Sequence, residues 1–379
     1  MGDKIKFLDL IEQYKSIKRE IDLALKRVLE SGQFIGGEEV KSFEKEIAKF
    51  CKIKYAVSVN SGTDALFLSL KALGIKEGDE VITSPFTFIA TAEIIANLGA
   101  KPVFVDINPE TFNIDPSKIK KAITKKTKAI IPVHLFGRMA EMGEIMKIAK
   151  KYKLLVIEDA AQAIGAEQQI AKNKWQIAGS IGGVGCFSFF PTKNLGAYGD
   201  GGMVVTNNKK IADKIKLLRN HGSYPKEKYL NLILGTNSRL DTLQAAILRV
   251  KLKYLSRWSK KRAQIASYYN KLLKGTGDIA TPVIGPNRNH IFHQYTIRTK
   301  YREQLKKYLK EKGIPTMIYY PLPLHLQPAF KYLKYKKGDF PEAEKVAQEV
   351  LSLPIYPELR RKGQDFIIRK IKEFYEKED

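Results

Sequence analysis

The sequence has few of the residues that build metal sites and disulfide frameworks. Its 379 residues include two cysteines and five histidines. Cys51 and Cys186 lie far apart and lack metal-ligand spacing, so we expect two buried thiols. His290 and His293 form the only close histidine pair, and no cysteine or acidic residue stands beside them as a further ligand. The composition therefore predicts neither a disulfide framework nor a bound metal.

Long apolar runs are also missing. Hydrophobic residues make up 44% of the chain, but no run reaches the roughly 18 residues that a membrane-spanning helix requires. The stretch MGDKIKFLDL has neither the apolar core nor the small-residue cleavage site of a secretory signal. We therefore expect a soluble, cytoplasmic protein that does not span a membrane.

Acidic residues are scarce relative to basic ones. The chain has 66 Lys and Arg against 40 Asp and Glu, a formal net charge of +26. Such a balance raises the possibility of a nucleic-acid partner. However, the lysines recur along predicted helices, as in LKKYLKEK at 305–312, and do not form one basic arm interleaved with aromatic residues. We therefore expect no nucleic-acid partner, and note that a positive field also concentrates phosphorylated small substrates.

Between about residues 55 and 206, short β-rich runs alternate with helical patterns. YAVSVN followed by TDALFLSLKAL is the first such unit. This rhythm predicts a large α/β domain with three layers, α/β/α, and a mostly parallel sheet. The runs VGCFSFF and GMVVTN are joined by a glycine-rich connection too short for a helical crossover, which favours an antiparallel or offset return.

The C-terminal third predicts a smaller α/β domain. Apolar residues at helical spacing indicate one long helix from Asp241 to about Leu273, which would bridge two domains. A strand (HQYTIRT), a helix, the Pro-rich loop YYPLPLHLQP and two helices near 341–352 and 364–376 follow. We place the large domain, with a helical N-terminal segment, at 1–250 and the small domain at 251–379.

One lysine stands where a buried strand meets a glycine-rich turn. It is Lys193, within FSFFPTKNLGAYGDGG at 187–202. Burial disfavours the ammonium and lowers the pKa of a lysine, although a lysine can also extend to the surface. A deprotonated lysine can form a Schiff base with the aldehyde of pyridoxal phosphate. Such a site also requires a carboxylate for the ring nitrogen, an anchor for the phosphate and a side chain that packs on the ring.

The sequence offers a residue for each of these roles. Asp159 follows an apolar strand in LLVIEDAAQ and suits the ring nitrogen. Gly62 and Thr63 open a helix directly after a strand, where backbone N–H groups favour a phosphate, and Ser188 can reach the same group. Phe88 is a candidate for stacking on the ring. Taken singly, these residues also suit ordinary helix capping and core packing.

Seven motifs in order resemble those of the DegT-type nucleotide-sugar aminotransferases, which are fold-type I pyridoxal phosphate enzymes. The resemblance covers nearly the whole chain. The motifs are NSGTDAL, PFTFIATAE, KPVFVDI, IEDAAQAIGA, GCFSFFPTKNLGAYGDGG, NSRLDTLQAAIL and YYPLPLHLQP.

The resemblance implies a role for each site residue. Lys193 would be the Schiff-base lysine and the general base, Asp159 the partner of the pyridinium nitrogen, and Gln162 would lie over or beside the ring. Asn237 would reach the cofactor phosphate of a neighbouring subunit, which implies a homodimer with composite active sites. The remaining cofactor contacts would be Gly62, Thr63, Ser188 and Phe88.

The resemblance also implies the reaction, a two-stage amino transfer from L-glutamate to a nucleotide-linked ketosugar. The form KNLGAYGDGG resembles members that act at the sugar 3-position. Their substrates are dTDP-3-keto-6-deoxyhexoses or UDP-2-acetamido-3-keto sugars and their uronates, and the amino sugars serve surface polysaccharide or glycan biosynthesis. Action on a 4-ketosugar and a regulatory role without turnover are the alternatives. Arg239, Tyr320 and His325 are candidates for binding the sugar or the nucleotide diphosphate, against loop packing or a surface ion pair.

Three further parts of the sequence, at 167–180, 181–187 and His134, lead to predictions of their own. The segment 167–180 is longer and poorer in glycine than the β-turn usual at this place in the resembling family. IGGVGCF at 181–187 precedes a strand, which does not fit a dinucleotide-binding turn. His134 ends a strand, and we expect a core histidine with satisfied hydrogen bonds.

Overall fold

A computed structural model describes residues 5–172, 174–224, 227–285 and 288–376. The helices are α1 (Leu10–Ser31), α2 (Glu38–Phe50), α3 (Gly62–Ala72), α4 (Ala90–Asn97), α5 (Pro116–Ala122), α6 (Met142–Tyr152), α7 (Lys209–Leu218), α8 (Thr242–Leu273), α9 (Arg302–Glu311), α10 (Pro341–Glu349) and α11 (Arg361–Tyr375). The strands are β1 (Tyr55–Val59), β2 (Glu80–Thr83), β3 (Lys101–Phe104), β4 (Thr127–Ile130), β5 (Leu155–Asp159), β6 (Glu167–Ala171), β7 (Lys174–Ile177), β8 (Val184–Ser188), β9 (Gly202–Thr206), β10 (Ser223–Tyr224), β11 (Glu227–Asn231), β12 (Arg288–Asn289), β13 (Tyr295–Arg298) and β14 (Val350–Leu353).

A seven-stranded sheet forms the centre of the larger part of the molecule. Its strand order is β1-β9-β8-β5-β4-β2-β3. Only β9 runs against its neighbours, pairing antiparallel with β1 and with β8. The antiparallel return predicted between VGCFSFF and GMVVTN is therefore confirmed. The other six strands share one direction, so their carboxyl ends meet at one edge of the sheet.

Helices cover both faces of this sheet. Successive strand residues enter opposite apolar clusters, as Val156 and Ile157 do on β5. The cluster containing Val156 includes residues of α2, α5, α6 and α8, and the cluster containing Ile157 includes residues of α3, α4 and α7. The predicted three-layer α/β/α arrangement with a mostly parallel sheet is confirmed.

The long helix predicted from Asp241 is α8, with Asp241 as its N-cap. The C-terminal half of α8 packs with β13, β14, α9 and α11 in a separate apolar cluster. The proposed domain division at 250/251 falls inside α8 and stays a prediction. None of the helices among the described residues combines the length and the apolar character needed to span a membrane.

One helix prediction near the C-terminus was too long. The helix expected over 341–352 ends at Glu349, and residues from Val350 onward form β14, antiparallel to β13. All four residues of β14 are buried and three of them are apolar, so this short run fits a strand between packed layers as well as a helix. The last predicted helix begins at Arg361, earlier than expected.

The segment 167–180 contains a β-hairpin. Strands β6 and β7 pair antiparallel, and β12 adds a third strand beside β6. Residue 173 lies outside the described residues. Strand pairing, with one register shift between Gln169 and Ala171, therefore accounts for the extra length and the low glycine content of this segment.

A fully buried carboxylate, that of Glu158, connects the ends of several strands. It accepts hydrogen bonds from the backbone N–H groups of Gly179 at 2.8 Å, Ile181 at 2.7 Å and Gly182 at 2.6 Å. Nε2 of His134 lies 2.8 Å from Oε2 of Glu158. The turn before β8, the segment after β4 and the end of β5 are thus held by one side chain.

The predictions for His134 and the two cysteines are confirmed. Nδ1 of His134 accepts a hydrogen bond from the Ala140 N–H at 3.1 Å, so both ring nitrogens have partners. Cys51 and Cys186 are buried thiols, and burial raises the pKa of Cys51 to about 12.

Replacing Glu158 by glutamine should lower the stability of the fold. The amide cannot accept all four hydrogen bonds, and its NH₂ group faces groups that themselves donate. We expect the free energy of unfolding in urea to fall by about 2–4 kcal/mol. Glu93→Gln, at an exposed position on α4, is the matched control and should change it by less than about 0.5 kcal/mol. Equal stability of the two variants would contradict this account of Glu158.

Candidate active site

The predicted cofactor residues follow the carboxyl ends of four strands that share one direction. Asp159 ends β5, Lys193 follows β8, Gly62 follows β1 and Phe88 follows β2. These strand ends meet at one edge of the sheet, where α/β proteins commonly bind ligands. The fold therefore brings four distant parts of the sequence to one edge of the sheet, a region that we call the cleft.

Lys193 and Asp159 lie close enough for the charge of each to change the pKa of the other. Lys193 is only partly accessible, and desolvation lowers the pKa of its amine to about 8, against the opposing effect of the Asp159 charge. Burial raises the pKa of Asp159, while hydrogen bonds and the positive charge of Lys193 act in the other direction. The two side chains therefore belong to one site, and the amine is neutral in a substantial fraction of molecules near pH 8.

Two hydrogen bonds orient the Asp159 carboxylate. The Thr91 hydroxyl donates to Oδ2 at 2.7 Å, and the Ala161 N–H donates to Oδ1 at 3.2 Å. Thr91 was not predicted as a site residue, although it lies in the PFTFIATAE motif. Its position on α4 lets a helix from another part of the chain fix the carboxylate.

A tight turn carries Lys193. The Lys193 N–H donates to the Phe190 carbonyl at 2.8 Å. At Gly196, a Cβ atom would lie 2.2 Å from the carbonyl oxygen of Pro191, so no other residue fits without moving the backbone. The turn is therefore closed by a contact that requires glycine.

The two segments predicted to bind phosphate touch each other. Ser61 caps α3 by accepting a hydrogen bond from the Asp64 N–H at 3.0 Å. A Cβ atom on Gly62 would lie only 2.6 Å from Cβ of Ser188. The first N–H groups of a helix have no partners within the helix, and they favour an anion. Gly62, Thr63 and Ser188 therefore border one place suited to a phosphate.

Gln162, Tyr320 and Phe88 form one wall of the cleft. Nε2 of Gln162 donates to the Tyr320 hydroxyl at 3.2 Å, and its Oε1 accepts from the Phe136 N–H at 2.7 Å. The Phe88 ring centroid lies 6.3 Å from that of Tyr320, and 56% of the Phe88 surface is exposed. An exposed aromatic ring at this position suits stacking on a bound planar group.

His325 lies in a buried cluster. Its Nε2 is 3.0 Å from Glu344, and its ring centroid is 4.8 Å from that of Phe340. Burial lowers the pKa of His325, and the Glu344 carboxylate opposes this shift. These contacts match the loop-packing alternative, and substrate binding by His325 stays a prediction.

Asn237 and Arg239 pair with each other. Nε of Arg239 donates to Asn237 Oδ1 at 3.1 Å, and its Nη1 donates to Asn220 Oδ1 at 3.1 Å. Asn237 is exposed. Within the described part of the chain, no hydrogen bond or ion pair joins this pair to Lys193 or Asp159, so its predicted roles stay predictions.

Two residues beside Lys193 were missed. Nδ1 of His293 lies 3.2 Å from Oδ1 of Asn194, the residue that follows Lys193. Desolvation lowers the pKa of His293 well below its usual value, and the positive charges of Lys193 and Arg262 act in the same direction. Burial therefore favours the neutral form of His293. The pair is 99 residues apart in sequence, and no local pattern could have joined them.

The chain is similar to known proteins over nearly its whole length. The sequence profile of the DegT/DnrJ/EryC1/StrS aminotransferase family matches residues 15–372. A structure of Streptomyces venezuelae DesV in complex with a ketimine intermediate is 41% identical to the chain, with a TM-score of 0.95, and the match covers 99% of each chain.

Three curated relatives match nearly end to end. A pleiotropic regulatory protein of Geobacillus stearothermophilus is 53% identical, covering 98% of each protein. The dTDP-3-amino-3,4,6-trideoxy-alpha-D-glucose transaminase of Streptomyces venezuelae is 42% identical, covering 99% of this chain and 97% of the relative. The UDP-2-acetamido-2-deoxy-3-oxo-D-glucuronate aminotransferase of Pseudomonas aeruginosa is 46% identical, covering 94% and 96%.

Replacing Asp159 by asparagine should lower the pKa of Lys193 further. The carboxylate favours the ammonium form, so removing its charge leaves desolvation less opposed. We expect the pH midpoint of Lys193 methylation by formaldehyde and cyanoborohydride, followed by peptide mass spectrometry, to fall below about 8 in the cofactor-free protein. Asp213→Asn, at the exposed Lys209 pair, is the control. A midpoint that stays constant or rises with Asp159→Asn would show that the two groups do not interact.

Replacing Gly62 by alanine should push α3 away from Ser188. The added Cβ has no room, and overpacking of this kind costs about 1–3 kcal/mol of unfolding free energy. Gly143→Ala is the matched control, because a Cβ at that position on α6 meets nothing within 4 Å. Chemical denaturation of both variants measures the difference, and a Gly62→Ala protein as stable as the control would disprove the close approach.

Proposed function

The chain belongs to the DegT/DnrJ/EryC1/StrS aminotransferase family, and on that premise we propose that it transfers an amino group from L-glutamate to a nucleotide-linked 3-keto sugar. The sugar is a dTDP-3-keto-6-deoxyhexose or a UDP-2-acetamido-3-keto sugar or its uronate. The product is a 3-amino sugar for surface polysaccharide or glycan biosynthesis. The names of the Streptomyces venezuelae and Pseudomonas aeruginosa relatives support the 3-position, because they place the amine or the ketone there.

The single observation that carries the proposal is that Lys193 and Asp159 lie close enough for their charges to interact. A lysine amine whose pKa is lowered to about 8 shares a cleft with a buried carboxylate. The oriented Asp159 carboxylate fits the protonated ring nitrogen of pyridoxal phosphate, and the start of α3 beside Ser188 fits the phosphate. When bound, pyridoxal phosphate supplies an aldehyde carbon that carries the amino group and a ring that withdraws electrons from the neighbouring carbon.

Lys193 both holds the cofactor and moves protons. Its lowered pKa makes the neutral Nζ available for bonding to an aldehyde carbon. With pyridoxal phosphate and glutamate bound, the freed Nζ would take the proton from the α-carbon of glutamate and pass it to the carbon that receives the amino group. In the second half of the reaction, Nζ would move a proton from that carbon to C3 of the sugar. The same lysine therefore acts as anchor, base and acid.

Asp159 would keep a proton on the ring nitrogen of the bound cofactor. Burial alone favours its neutral form, and the hydrogen bonds from Thr91 and Ala161 favour the carboxylate. These bonds also leave its position fixed, so its charge faces the cleft without reorganisation. Thr91 is thus a supporting residue for this role.

The other residues of the cleft bind and orient. We assign Gly62, Thr63 and Ser188 to the phosphate, Phe88 to one face of the ring and Gln162 to a position over or beside it. For the sugar or the nucleotide diphosphate we propose Tyr320, His325 and Arg239. Tyr320 has the strongest support of these three, because its hydroxyl contacts Gln162 in the cleft.

We further propose a homodimer with composite sites. Asn237 would reach the cofactor phosphate of the neighbouring subunit, and its exposed position supports that role. The division into domains at 1–250 and 251–379 belongs to the same proposal. The predicted cytoplasmic location stays a prediction.

A second candidate function is regulation without turnover. The name of the Geobacillus stearothermophilus relative favours it. However, a regulatory protein has no need of a lysine amine with a lowered pKa beside a buried carboxylate. We therefore prefer catalysis, and the following experiment separates the two.

The purified protein, loaded with pyridoxal phosphate, should convert L-glutamate to 2-oxoglutarate once per site when no sugar is present. Addition of 3-keto sugars linked to dTDP or UDP should then yield a 3-amino product, detected by mass spectrometry, with repeated turnover. We expect 3-keto substrates to exceed the matching 4-keto sugars by at least about 100-fold in kcat/KM, since misplacing the reacting carbon removes its alignment with Lys193.

Two variants control this experiment. Lys193→Ala should lose the absorbance band of the bound cofactor and all turnover, whereas Lys209→Ala, at an exposed position on α7, should behave as the unmodified protein. Reaction with 4-keto sugars alone would overturn the 3-position. Cofactor binding without any glutamate half-reaction would favour the regulatory role.

A further inference from the structure

A second lysine, Lys251, is buried next to the turn that carries Lys193. It belongs to α8, and 1% of its surface is exposed. Burial lowers the pKa of its amine to about 8, against the opposing charge of Glu358. Within the described residues its ammonium forms no ion pair, although burial of an unpaired charge is unfavourable. The reaction proposed above gives this lysine no role.

The ammonium of Lys251 interacts with the segment that follows Lys193. Its Nζ donates a hydrogen bond to the carbonyl of Gly196 at 2.5 Å. It also lies 4.8 Å from the ring centroid of Tyr198, within the range of a cation–π contact. Both partners belong to the glycine-rich segment that follows Lys193, within 187–202. The charge of Lys251 is therefore stabilised by this segment.

Gly196 transmits this contact to Lys193. The close approach of Gly196 to the carbonyl of Pro191 leaves no space between the two sides of the turn. Lys193 lies between them, and its N–H is bonded to Phe190. Because the two sides of the turn are closely packed, we expect a shift of the Gly196 carbonyl to move the backbone of Lys193 as well.

The same helix holds the segment at a second point. Oε1 of Gln244 accepts a hydrogen bond from the Tyr198 N–H at 2.8 Å, and Nε2 donates to the Tyr198 carbonyl at 3.4 Å. Gln244 and Lys251 are separated by about two helical turns and so lie on one face of α8. The glycine-rich segment is therefore fastened along a rigid helix.

We propose that Lys251 is a positioning residue, which fixes the Gly196 carbonyl and thereby holds the Lys193 amine opposite Asp159. The proposal rests on the function proposed for Lys193. Lys251 itself touches no reacting atom; it acts through the geometry of the turn.

Lys251→Met tests the proposal, because methionine keeps much of the apolar length and removes the donor. We expect the maximal single-turnover rate constant of the glutamate half-reaction to fall at least about tenfold, because the amine of Lys193 is displaced. The glutamate concentration that gives half of this rate should stay within about threefold, because glutamate binding is not changed. In the cofactor-free protein, the pH midpoint of Lys193 methylation should rise from about 8 by at least about half a pH unit, because a looser turn admits water to the amine.

Two further variants serve as controls. Lys253→Met removes an exposed lysine of the same helix that pairs with Glu20, and both measurements should match those of the unmodified protein. Lys251→Arg keeps a charged donor, so the methylation midpoint should stay near that of the unmodified protein even where stability falls.

Two results for the Lys251 variants would contradict the positioning role. An unchanged midpoint in Lys251→Met, or the same shift in Lys251→Arg, would overturn the proposal. If neither Lys251→Met nor Lys251→Arg folds, Lys251 is required for folding, and the proposal is overturned as well. Borohydride reduction of the unmodified protein with pyridoxal phosphate should label Lys193; no label there would refute the proposed function, whereas a label with an unchanged Lys251→Met midpoint would refute only the role of Lys251.

Discussion

Two adjacent carboxylates at the end of a buried strand constrain the whole site. Glu158 and Asp159 are neighbours on β5, so their side chains point to opposite faces. Protein groups fully satisfy Glu158, through three backbone N–H groups and His134. Asp159 receives one hydroxyl and one backbone N–H, and the charge of Lys193 acts on it across the cleft. The fold thus uses one acid to fix the strand ends and leaves the other available for chemistry.

The features that depend on local sequence pattern could be predicted. Alternating strand and helix patterns indicated the sheet, and the short link between VGCFSFF and GMVVTN indicated the reversal at β9. Asp159 and Lys193 stood out because each is a charged residue next to an apolar run. The strand β14 was missed because a short apolar run fits a buried strand or the end of a helix equally well.

Features that depend on contacts between distant segments could not be predicted. Thr91 reaches Asp159 across 68 residues, and His293 reaches Asn194 from another part of the chain. Helix α8 illustrates the same limit. Its length and periodicity were clear from the sequence. Lys251, however, could not be distinguished from the many other lysines of the chain, because only its packing against the glycine-rich segment sets it apart. The contact of Arg239 with Asn220, 19 residues away, likewise depends on folding and not on local sequence.

The reversed direction of β9 has a consequence for how the catalytic loop can vary. Because β9 runs against β8, the chain leaves the sheet after Ser188 and re-enters it at Gly202 on the same edge, and the Phe189 N–H closes the gap by donating to the Gly201 carbonyl at 2.7 Å. The intervening residues form a loop, the catalytic loop, whose two ends are joined by this hydrogen bond. An insertion or deletion inside it cannot be absorbed by sliding either strand, since that would turn buried side chains to the wrong face. Differences in loop length between related proteins should therefore occur elsewhere, as in the hairpin of β6 and β7, while the loop between β8 and β9 keeps its length.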